Sequence, residues 1–233
     1  MDSDSGMDFA PKKLPKELLS KLHRVTLTIY EMLHDRGYLI FEEDLNITLK
    51  QFKKQFKSPD LHKIVATHSE NPAKRIVVKY HHIDYNSDDQ KTPSLSKPTL
   101  YGHIGSLDED AYPDRSQAIT SLIIVTNCDI SPSAKQLVGP TAGANGKGSV
   151  EIFKEGELMV NITDHSLAAS FVLLDSYQKQ DVLKKLRIEE SQIPRIGVED
   201  SISRYFCAKQ GDLFKIVRKS DHAGRYLYYR LVQ

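Results

Sequence analysis

The stretch Ser191–Tyr229, SQIPRIGVEDSISRYFCAKQGDLFKIVRKSDHAGRYLYY, decides the fold of the C-terminal end of the chain. Pro194 fixes its own φ angle and pushes the preceding Ile193 into an extended conformation, so Ile193–Ile196 is predicted to be a stiff extended segment. The carboxylate of Asp200 can accept hydrogen bonds from the unpaired N–H groups of a first helical turn. A short helix is therefore predicted to begin directly after Asp200.

Two strands joined by a turn are predicted in the second half of this stretch. Leu213–Arg218 is an apolar segment that carries two cations, and Tyr226–Val232 is rich in aromatic residues. Gly224 permits the turn that precedes the second of them. Seven Lys or Arg residues stand against two Asp or Glu from Ser201 to Gln233. This basic end indicates either an anionic partner or a solvated strand face.

Composition places the chain among ordinary globular proteins. It has 233 residues, 39% of them hydrophobic and 27% charged, with a net charge of +1, which suits one large or two small domains. The cysteines, Cys128 and Cys207, are too far apart for a zinc motif or a disulfide framework and suggest a reducing compartment. The acidic, polar N-terminus does not look like a signal peptide, and no apolar run reaches membrane length.

Apolar periodicity upstream mixes helices and strands without strict alternation, which favours an α+β fold. Leu18, Leu22, Val25, Ile29 and Met32 recur at spacings of three and four and predict an amphipathic helix that ends near Gly37. Further helices are predicted after the capping box Thr48-x-x-Gln51, after Pro98, from Ser131 with Pro132, and over Asp175–Leu186. Strands are predicted at His62–His68, Arg75–His81, Ile119–Val125, Val150–Phe153 and Leu158–Ile162.

The opening stretch resembles the C-terminal domain of the shared fifth subunit of the eukaryotic nuclear RNA polymerases, which has a small counterpart in the archaeal enzyme. The positions that match the family pattern are Gln192–Ile196, Asp200 with Arg204 and Tyr205, Gly211 with Lys215, Ile216, Arg218 and Ser220, Ala223–Tyr226, and Tyr229 with Arg230. Weaker matches extend the resemblance upstream and lie at Asp35–Tyr38, Ile130–Ala134 and Val160–His165.

The resemblance implies a non-catalytic structural subunit of DNA-directed RNA polymerase, with no cofactor, metal, small-molecule ligand or membrane contact of its own. It implies a disordered tail at 1–13, an N-terminal jaw domain at 14–162 with a topology like that of restriction endonucleases, and an assembly domain at 163–233. The assembly domain would dock on the largest subunit beside neighbouring subunits, and the jaw would lie near downstream double-stranded DNA. The implied location is the nucleus, with the nucleolus also open.

The docking residues follow from the same matches, whereas the lysines expected to face DNA follow from their clustering within two helical turns. The residues expected to shape the assembly domain and its docking face are Ile193, Pro194, Arg195, Ile196, Arg204, Tyr205, Arg218, Gly224, Arg225, Tyr226 and Arg230. The residues expected to face DNA are the lysines around the second N-terminal helix, which can contact phosphates without sequence preference, namely Lys50, Lys53, Lys54 and Lys57.

Departures from the family pattern lie at a few positions. The family's H-x-L-V-P-K-H appears here as His165–Phe171, so Ala169, Ser170 and Phe171 replace the proline, the lysine and the second histidine. Ser201 stands where the family has proline after aspartate, and the family's glycine after Arg-Tyr-x is Ala208 or is displaced. Residues 84–118 match the family poorly, and a paralogue dedicated to one polymerase class therefore stays open.

Alternative chemistry has weak support in the residues. The glycine-rich run 139–149 lacks the first glycine and the hydroxyl residue of a phosphate-binding loop. His81 and His82 are adjacent on a predicted strand and should point to opposite faces, which disfavours a shared metal ion with Asp84. Acidic runs such as Glu42–Asp44 and Asp108–Asp110 resemble solvated turns or helix starts, and no spaced acidic pair with a nearby lysine suggests a nuclease.

Arginine and tyrosine alternate from Arg218 to Arg230, and three interpretations of this pattern stay open. Arginine pairs with phosphate and tyrosine stacks on bases, as in a free-standing nucleic-acid-binding module. The same residue types are enriched at protein interfaces. Aromatic cross-strand pairs within a sheet are the third interpretation.

Overall fold

The computed structural model describes residues 15–56, 58–59, 61–83, 94–106, 119–139, 149–164, 169–220 and 224–233. Helices and strands are mixed within the chain, so the predicted α+β class is confirmed. The chain divides into two compact units, Met1–Met159 and Val160–Gln233. The predictions for the tail at 1–13, for most of 84–118, for Asp108–Asp110, for Lys57 and for the glycine-rich loop beyond Gly139 lie outside the described residues.

The N-terminal unit contains five helices and six strands within its described residues. The helices are α1 (Lys16–Asp35), α2 (Glu42–Leu45), α3 (Leu49–Gln55), α4 (Lys97–Gly105) and α5 (Pro132–Lys135). The strands are β1 (Lys63–Thr67), β2 (Arg75–His81), β3 (Ser94–Leu95), β4 (Ser121–Thr126), β5 (Asp129–Ile130) and β6 (Ser149–Lys154).

Helix α1 is amphipathic, as the spacing of its apolar residues predicts. Leu22, Val25, Ile29 and Met32 are all fully buried, and the chain leaves the helix through Gly37, whose φ of +84° is the left-handed conformation that glycine adopts without strain. The capping box predicted for α3 is present, because the Thr48 side chain and that of Gln51 cap each other's backbone N–H groups.

The main sheet of this unit has the strand order β1-β2-β4-β6. β1 runs antiparallel to β2, whereas β2, β4 and β6 are parallel to one another. Helix α1 covers one face, where Thr26 Oγ1 lies 2.7 Å from the Tyr80 hydroxyl. Helices α4 and α5 cover the other through Leu100, Ile104 and Ala134. Burial on both faces explains the continuous apolar run of β4, because only apolar side chains fit between two helical layers.

Charged side chains also pack inside this unit. Glu155 is 2% exposed, and its carboxylate oxygens lie 2.6 Å from Lys21 Nζ and 2.9 Å from His82 Nδ1. Burial by itself would raise the pKa of Glu155, but the hydrogen bonds from His82 and Lys21 outweigh it and hold the pKa below its ordinary value. Arg36 makes a two-pronged pair with Glu151 at 3.0 and 2.8 Å. These ion pairs join α1 to the sheet.

Where the structure describes it, the C-terminal unit contains a second four-stranded sheet, two α-helices and a short 3-10 helix, Glu190–Gln192. Its strands are β7 (Ser170–Leu174), β8 (Arg195–Ile196), β9 (Leu213–Ser220) and β10 (Gly224–Val232), and its helices are α6 (Ser176–Leu186) and α7 (Ser201–Tyr205). The strand order is β7-β9-β10-β8. Asp200 caps α7 by accepting from the Ile202 N–H at 2.9 Å, as predicted, and Asp175 caps α6.

This sheet has two faces, which strand alternation and register define. The first face carries Phe214, Ile216 and Val232, which form a core with Ile202 and Phe206 from the α7 segment. The second face carries the alternate residues. At its β8 end, Leu213 is fully buried, and α6 is tied to the residues before β9 because Lys179 Nζ donates to the Gly211 carbonyl at 2.7 Å.

Two local features differ from the sequence-based expectations, and a third decides an alternative that they left open. The predicted strand at Leu158–Ile162 is wrong: the segment is a series of turns, and Asn161 Oδ1 accepts from the N–H of Thr163, a local bond that competes with strand pairing. Strand β7 was not predicted, although Phe171–Leu174 is an apolar run. The residue with left-handed backbone after α7 is Cys207, with φ of 52°, and not Ala208.

Candidate docking surface

The β9–β10 hairpin carries a run of exposed residues, from Arg218 to Lys219 in β9 and from Gly224 to Leu227 in β10. Gly224, with φ of +69°, begins β10, and the register sets Arg218 directly opposite Tyr226. Tyr226 is 57% exposed and packs against Tyr228 with ring centroids 5.6 Å apart. A planar cation and an aromatic ring therefore share the exposed end of the first face, a composition typical of protein interfaces.

Strand β8 holds the other end of this surface to β10. The Pro194 carbonyl accepts from the Leu231 N–H at 2.9 Å, and Arg195 Nη1 donates to the Gln233 side chain at 2.6 Å. Arg230 Nη1 donates to the Arg195 carbonyl at 3.2 Å. Both guanidinium groups are exposed yet anchored by a hydrogen bond, so their charge is presented to solvent at a fixed place.

Some of the predicted docking residues lie inside the unit. Ile193 and Tyr205 are each 4% exposed, and Ile196 and Arg204 are half-buried. Tyr205 lies edge-on to Phe206 at 5.1 Å. These residues support the unit from within, whereas Pro194, Arg195, Arg218, Gly224, Arg225, Tyr226 and Arg230 are exposed.

The exposed set is divided between the two faces of the sheet. Arg218, Tyr226 and Arg230 alternate with Arg225, so the first three belong to the first face and Arg225 to the second. The second face, on which Val172 and Leu227 are 46% and 47% exposed, was not predicted from the sequence. The alternation of lysine with aliphatic residues in β9 is the signal that could have identified it.

The residues that depart from the family pattern have defined places here. Phe171 belongs to β7 and packs edge-on to Phe214 at 6.4 Å, where it extends the core of the first face. Ala169 packs against the same core. Ser170 is an exposed strand residue, and Ser201 opens α7 behind its Asp200 cap.

In the N-terminal unit, α3 carries the lysines that were predicted to face DNA. Lys50, Lys53 and Lys54 are all exposed, and their spacing of three and four sets them on one side of the helix. The buried residue of α3 is Phe52. The helix therefore presents a basic side to solvent.

The histidines and the cysteine that lie outside these surfaces make contacts within the N-terminal unit. His81 and His82 point to opposite faces, as predicted: the His81 ring lies 5.4 Å from that of His103, whereas His82 pairs with Glu155. Cys128 is buried, with Sγ 3.0 Å from Thr126 Oγ1. Within the described residues, no group of three or more metal-binding side chains comes together, and no helix is long and apolar enough to cross a membrane.

Comparison with known proteins accounts for both units. Residues 16–85 match the N-terminal domain of the RNA polymerase Rpb5 family, and residues 160–232 match its C-terminal domain. The chain is 36% identical over 221 residues to a protein of Caenorhabditis briggsae named DNA-directed RNA polymerases I, II, and III subunit RPABC1, and equally so to the protein of that name from Caenorhabditis elegans. Each match covers 91% of this chain and 95% of the relative. With both domains present in order and the relatives matched almost end to end, the chain belongs to the RNA polymerase Rpb5 family.

Proposed function

We propose that this chain is a non-catalytic structural subunit of the nuclear DNA-directed RNA polymerases, shared by polymerases I, II and III. The observation that carries the proposal is the match to proteins with that name over 91% of the chain and 95% of theirs. Such coverage leaves neither domain of the relatives unmatched.

In this proposal, the assembly domain at 163–233 docks on the largest polymerase subunit. Support comes from the exposed arginines and tyrosine of the β9–β10 hairpin, because Arg and Tyr are the residue types most often found at the centre of protein interfaces. The half-buried and buried members of the predicted set, such as Tyr205, keep the hairpin and β8 in place. Docking would thus depend on a preorganised surface and would need little reordering of the chain.

The jaw domain at 14–162 lies, in the same proposal, near downstream double-stranded DNA. The exposed lysines of α3 support this role, because lysine contacts to phosphate need no base sequence and release counterions. Replacing Lys50, Lys53 and Lys54 with glutamine should reduce the salt dependence of downstream DNA retention by the assembled polymerase. The matched control is the triple replacement of the exposed lysines Lys184, Lys185 and Lys209 of the C-terminal unit, which should leave that dependence unchanged.

Stoichiometric recovery tests the whole proposal. A tagged chain expressed in its own cells should be nuclear and should retrieve the largest subunits of all three polymerases in equal proportion to itself. Arg225→Glu with Tyr226→Ala should reduce that recovery. Retrieval of one polymerase class alone would identify a dedicated paralogue, and recovery of the chain as a free monomer would exclude the assembly role.

Two further assays separate the proposal from its alternatives. A free-standing nucleic-acid-binding module would bind DNA or RNA in the micromolar range, with affinity that falls as salt rises, in the absence of polymerase. A nuclease would cleave DNA in a magnesium-dependent manner. We expect the purified chain to show no cleavage, because the acidic residues of α2 are successive positions on one exposed turn and not a spaced catalytic pair.

A further inference from the structure

Helix α3 concentrates positive charge that no described residue neutralises. Its seven residues, LKQFKKQ, contain no acidic side chain. Lys50, Lys53 and Lys54 lie three and four positions apart, and like charges at these spacings destabilise a helix. None of the three makes an ion pair within the part of the chain that the structure describes. The cluster therefore costs the helix stability and is available to an anionic ligand.

An exposed leucine borders these lysines. Leu49 is 42% exposed, and it stands four positions before Lys53, which sets the two side chains next to each other on the helix surface. Phe52, in contrast, is 1% exposed and packs edge-on to His23 of α1 at 5.3 Å. The outer side of α3 thus combines three cations with one apolar side chain. A segment that matches it in full carries both carboxylates and apolar side chains, whereas a DNA backbone matches only its charge.

The N-terminal end of the same chain has this chemistry. Residues 1–10 read MDSDSGMDFA and contain no lysine or arginine. Their three carboxylates belong to Asp2, Asp4 and Asp8, and the apolar Met7 and Phe9 stand on either side of the last of these. We call residues 1–10 the acidic segment. It supplies one carboxylate for each lysine of α3 and an apolar side chain for Leu49.

The acidic segment is tethered within reach of α3. The described part of the chain begins at Pro15, directly before α1. Helix α3 packs on α1 at His23, which is seven residues from the start of α1, or about 10 Å along the helix. Five residues separate Phe9 from Pro15, and an extended chain of that length spans about 16 Å. A short tether raises the effective concentration of a ligand to about the millimolar range, so weak contacts are sufficient.

We propose that the acidic segment occupies the basic side of α3 in the free chain and that duplex DNA displaces it. The inference rests on the proposed function in naming DNA as the competitor. The carboxylates neutralise the like charges of the helix, and Met7 or Phe9 covers Leu49. Phosphates and carboxylates compete for the same lysines, so the segment lowers the affinity of this side for any polyanion. The chain thus carries its own electrostatic guard against indiscriminate binding to nucleic acid.

Zero-length cross-linking of the full chain tests the contact directly. A carbodiimide joins a carboxylate to an amine with loss of water where the two groups meet, and peptide mass spectrometry identifies both residues. We expect cross-links from the acidic segment to the lysines of α3, with a yield that does not depend on protein concentration. An excess of duplex DNA should lower that yield at least threefold. A yield no higher than that to Lys74, an exposed lysine of the same unit, would overturn the proposal.

Affinity for duplex DNA at low salt tests the competition. Replacing the three aspartates of the acidic segment with asparagine should raise the affinity of the purified chain about threefold to tenfold. The gain should disappear when the lysines of α3 are also replaced with glutamine. The matched control removes the same charge from three exposed carboxylates of the same unit by glutamine replacement of Glu42, Glu43 and Glu70, and it should change the affinity less than twofold. Equal gains in both variants would show that net charge alone acts and would overturn the proposal.

The two experiments separate this inference from the proposed function. If the cross-links form while glutamine at the lysines of α3 leaves DNA retention by the assembled polymerase unchanged, the contact stands and the DNA-facing role fails. If that replacement weakens retention but no cross-links form, the DNA-facing role stands and the contact of the acidic segment is overturned.

Discussion

The two units of the chain use charged residues in opposite ways. In the N-terminal unit, Arg36 and Glu155 are buried, and each is paired across the interface between α1 and the sheet. In the C-terminal unit, the cations at the hairpin end of β9 and β10 are exposed, and Lys219 and Arg225 oppose each other with no carboxylate at a described strand position of their face. The charges between α1 and the sheet are therefore satisfied within their own unit, whereas the cations of the hairpin are left to solvent or to a partner.

The difference separates charged residues that stabilise the fold from charged residues that are available for contact with a partner. A buried ion pair that loses one member leaves an uncompensated charge in a poorly solvated place, so its removal should cost stability. An exposed cation makes little difference to the folded state of the free chain. Mutations of the buried charges between α1 and the sheet should therefore affect unfolding, and mutations of the exposed hairpin cations should affect binding.

The largest expected effect is at the Arg36–Glu151 pair. The Arg36 side chain is 4% exposed and Glu151 17%, so Arg36→Met should lower the free energy of unfolding of the N-terminal unit by about 3 kcal/mol. Native-state hydrogen exchange in the full chain measures this. Arg36→Met with Glu151→Leu should regain most of the loss, because no unpaired charge then remains.

The matched control for that experiment is a surface pair of the C-terminal unit. Lys185 and Asp181 lie 2.7 Å apart with side chains 72% and 46% exposed. Lys185→Met should leave the free energy of unfolding almost unchanged, because an exposed ion pair adds little to stability. The comparison between the units fails if Lys185→Met lowers the free energy of unfolding as much as Arg36→Met does.

A second expected effect concerns His62, which is neutral in the N-terminal core. Its ring packs against Phe56 at 4.7 Å and Tyr80 at 5.5 Å, and burial lowers its pKa to about 4. Because the unfolded chain binds a proton below about pH 6.5 and the folded chain does not, stability falls as pH drops from about 6.5 towards 4. His62 should contribute about 2 kcal/mol to the difference in unfolding free energy between pH 7 and pH 5.

Urea unfolding of His62→Phe at these two pH values isolates that contribution. The variant should lose about 2 kcal/mol less than the natural chain between pH 7 and pH 5, because phenylalanine keeps the aromatic packing and cannot be protonated. His34→Gln serves as the control, since the His34 side chain is 60% exposed, and it should preserve the pH dependence. An unchanged pH dependence in His62→Phe would show that the ring is accessible to protons in the folded state.

Local sequence signals predicted much of this fold because they act through the chain's own neighbours. The caps at Thr48 and Asp200, the apolar stripe of α1 and the strands flanking Glu70 each depend on residues a few positions apart, and each is found in the structure. The strand predicted at Leu158–Ile162 is wrong because apolar content alone does not distinguish a strand from a turn with a buried leucine. Leu158 lies in such a turn and is 3% exposed.

The candidate site was harder to predict, because faces depend on register between distant strands. The sequence identified Arg218 and Tyr226 as candidate docking residues. That they stand directly opposite each other follows only from the pairing of β9 with β10. On the second face, Val172 pairs with Lys215, more than forty positions away in the chain. The residue pattern of β9 indicates that such a face exists, but the partner strand and its register are fixed only by the packed sheet.

The smallest expected effect is at the opposed cations, where the comparison predicts a gain in stability. Arg225→Gln removes one of two like charges that face each other across the hairpin, so it should stabilise the free chain by about 0.3 kcal/mol at low salt. The gain should vanish near about 0.5 M salt, where charges at this separation are screened.

Thermal unfolding at two salt concentrations is sufficient to detect the change, with Arg218→Gln as the control, since the exposed Arg218 stands opposite Tyr226 and not opposite a cation. A salt-independent loss of stability in Arg225→Gln would mean that the guanidinium packs within its own unit. A gain confined to low salt would mean that the natural residue is kept at a cost to the free chain, which fits a role that is fulfilled only when a partner is bound.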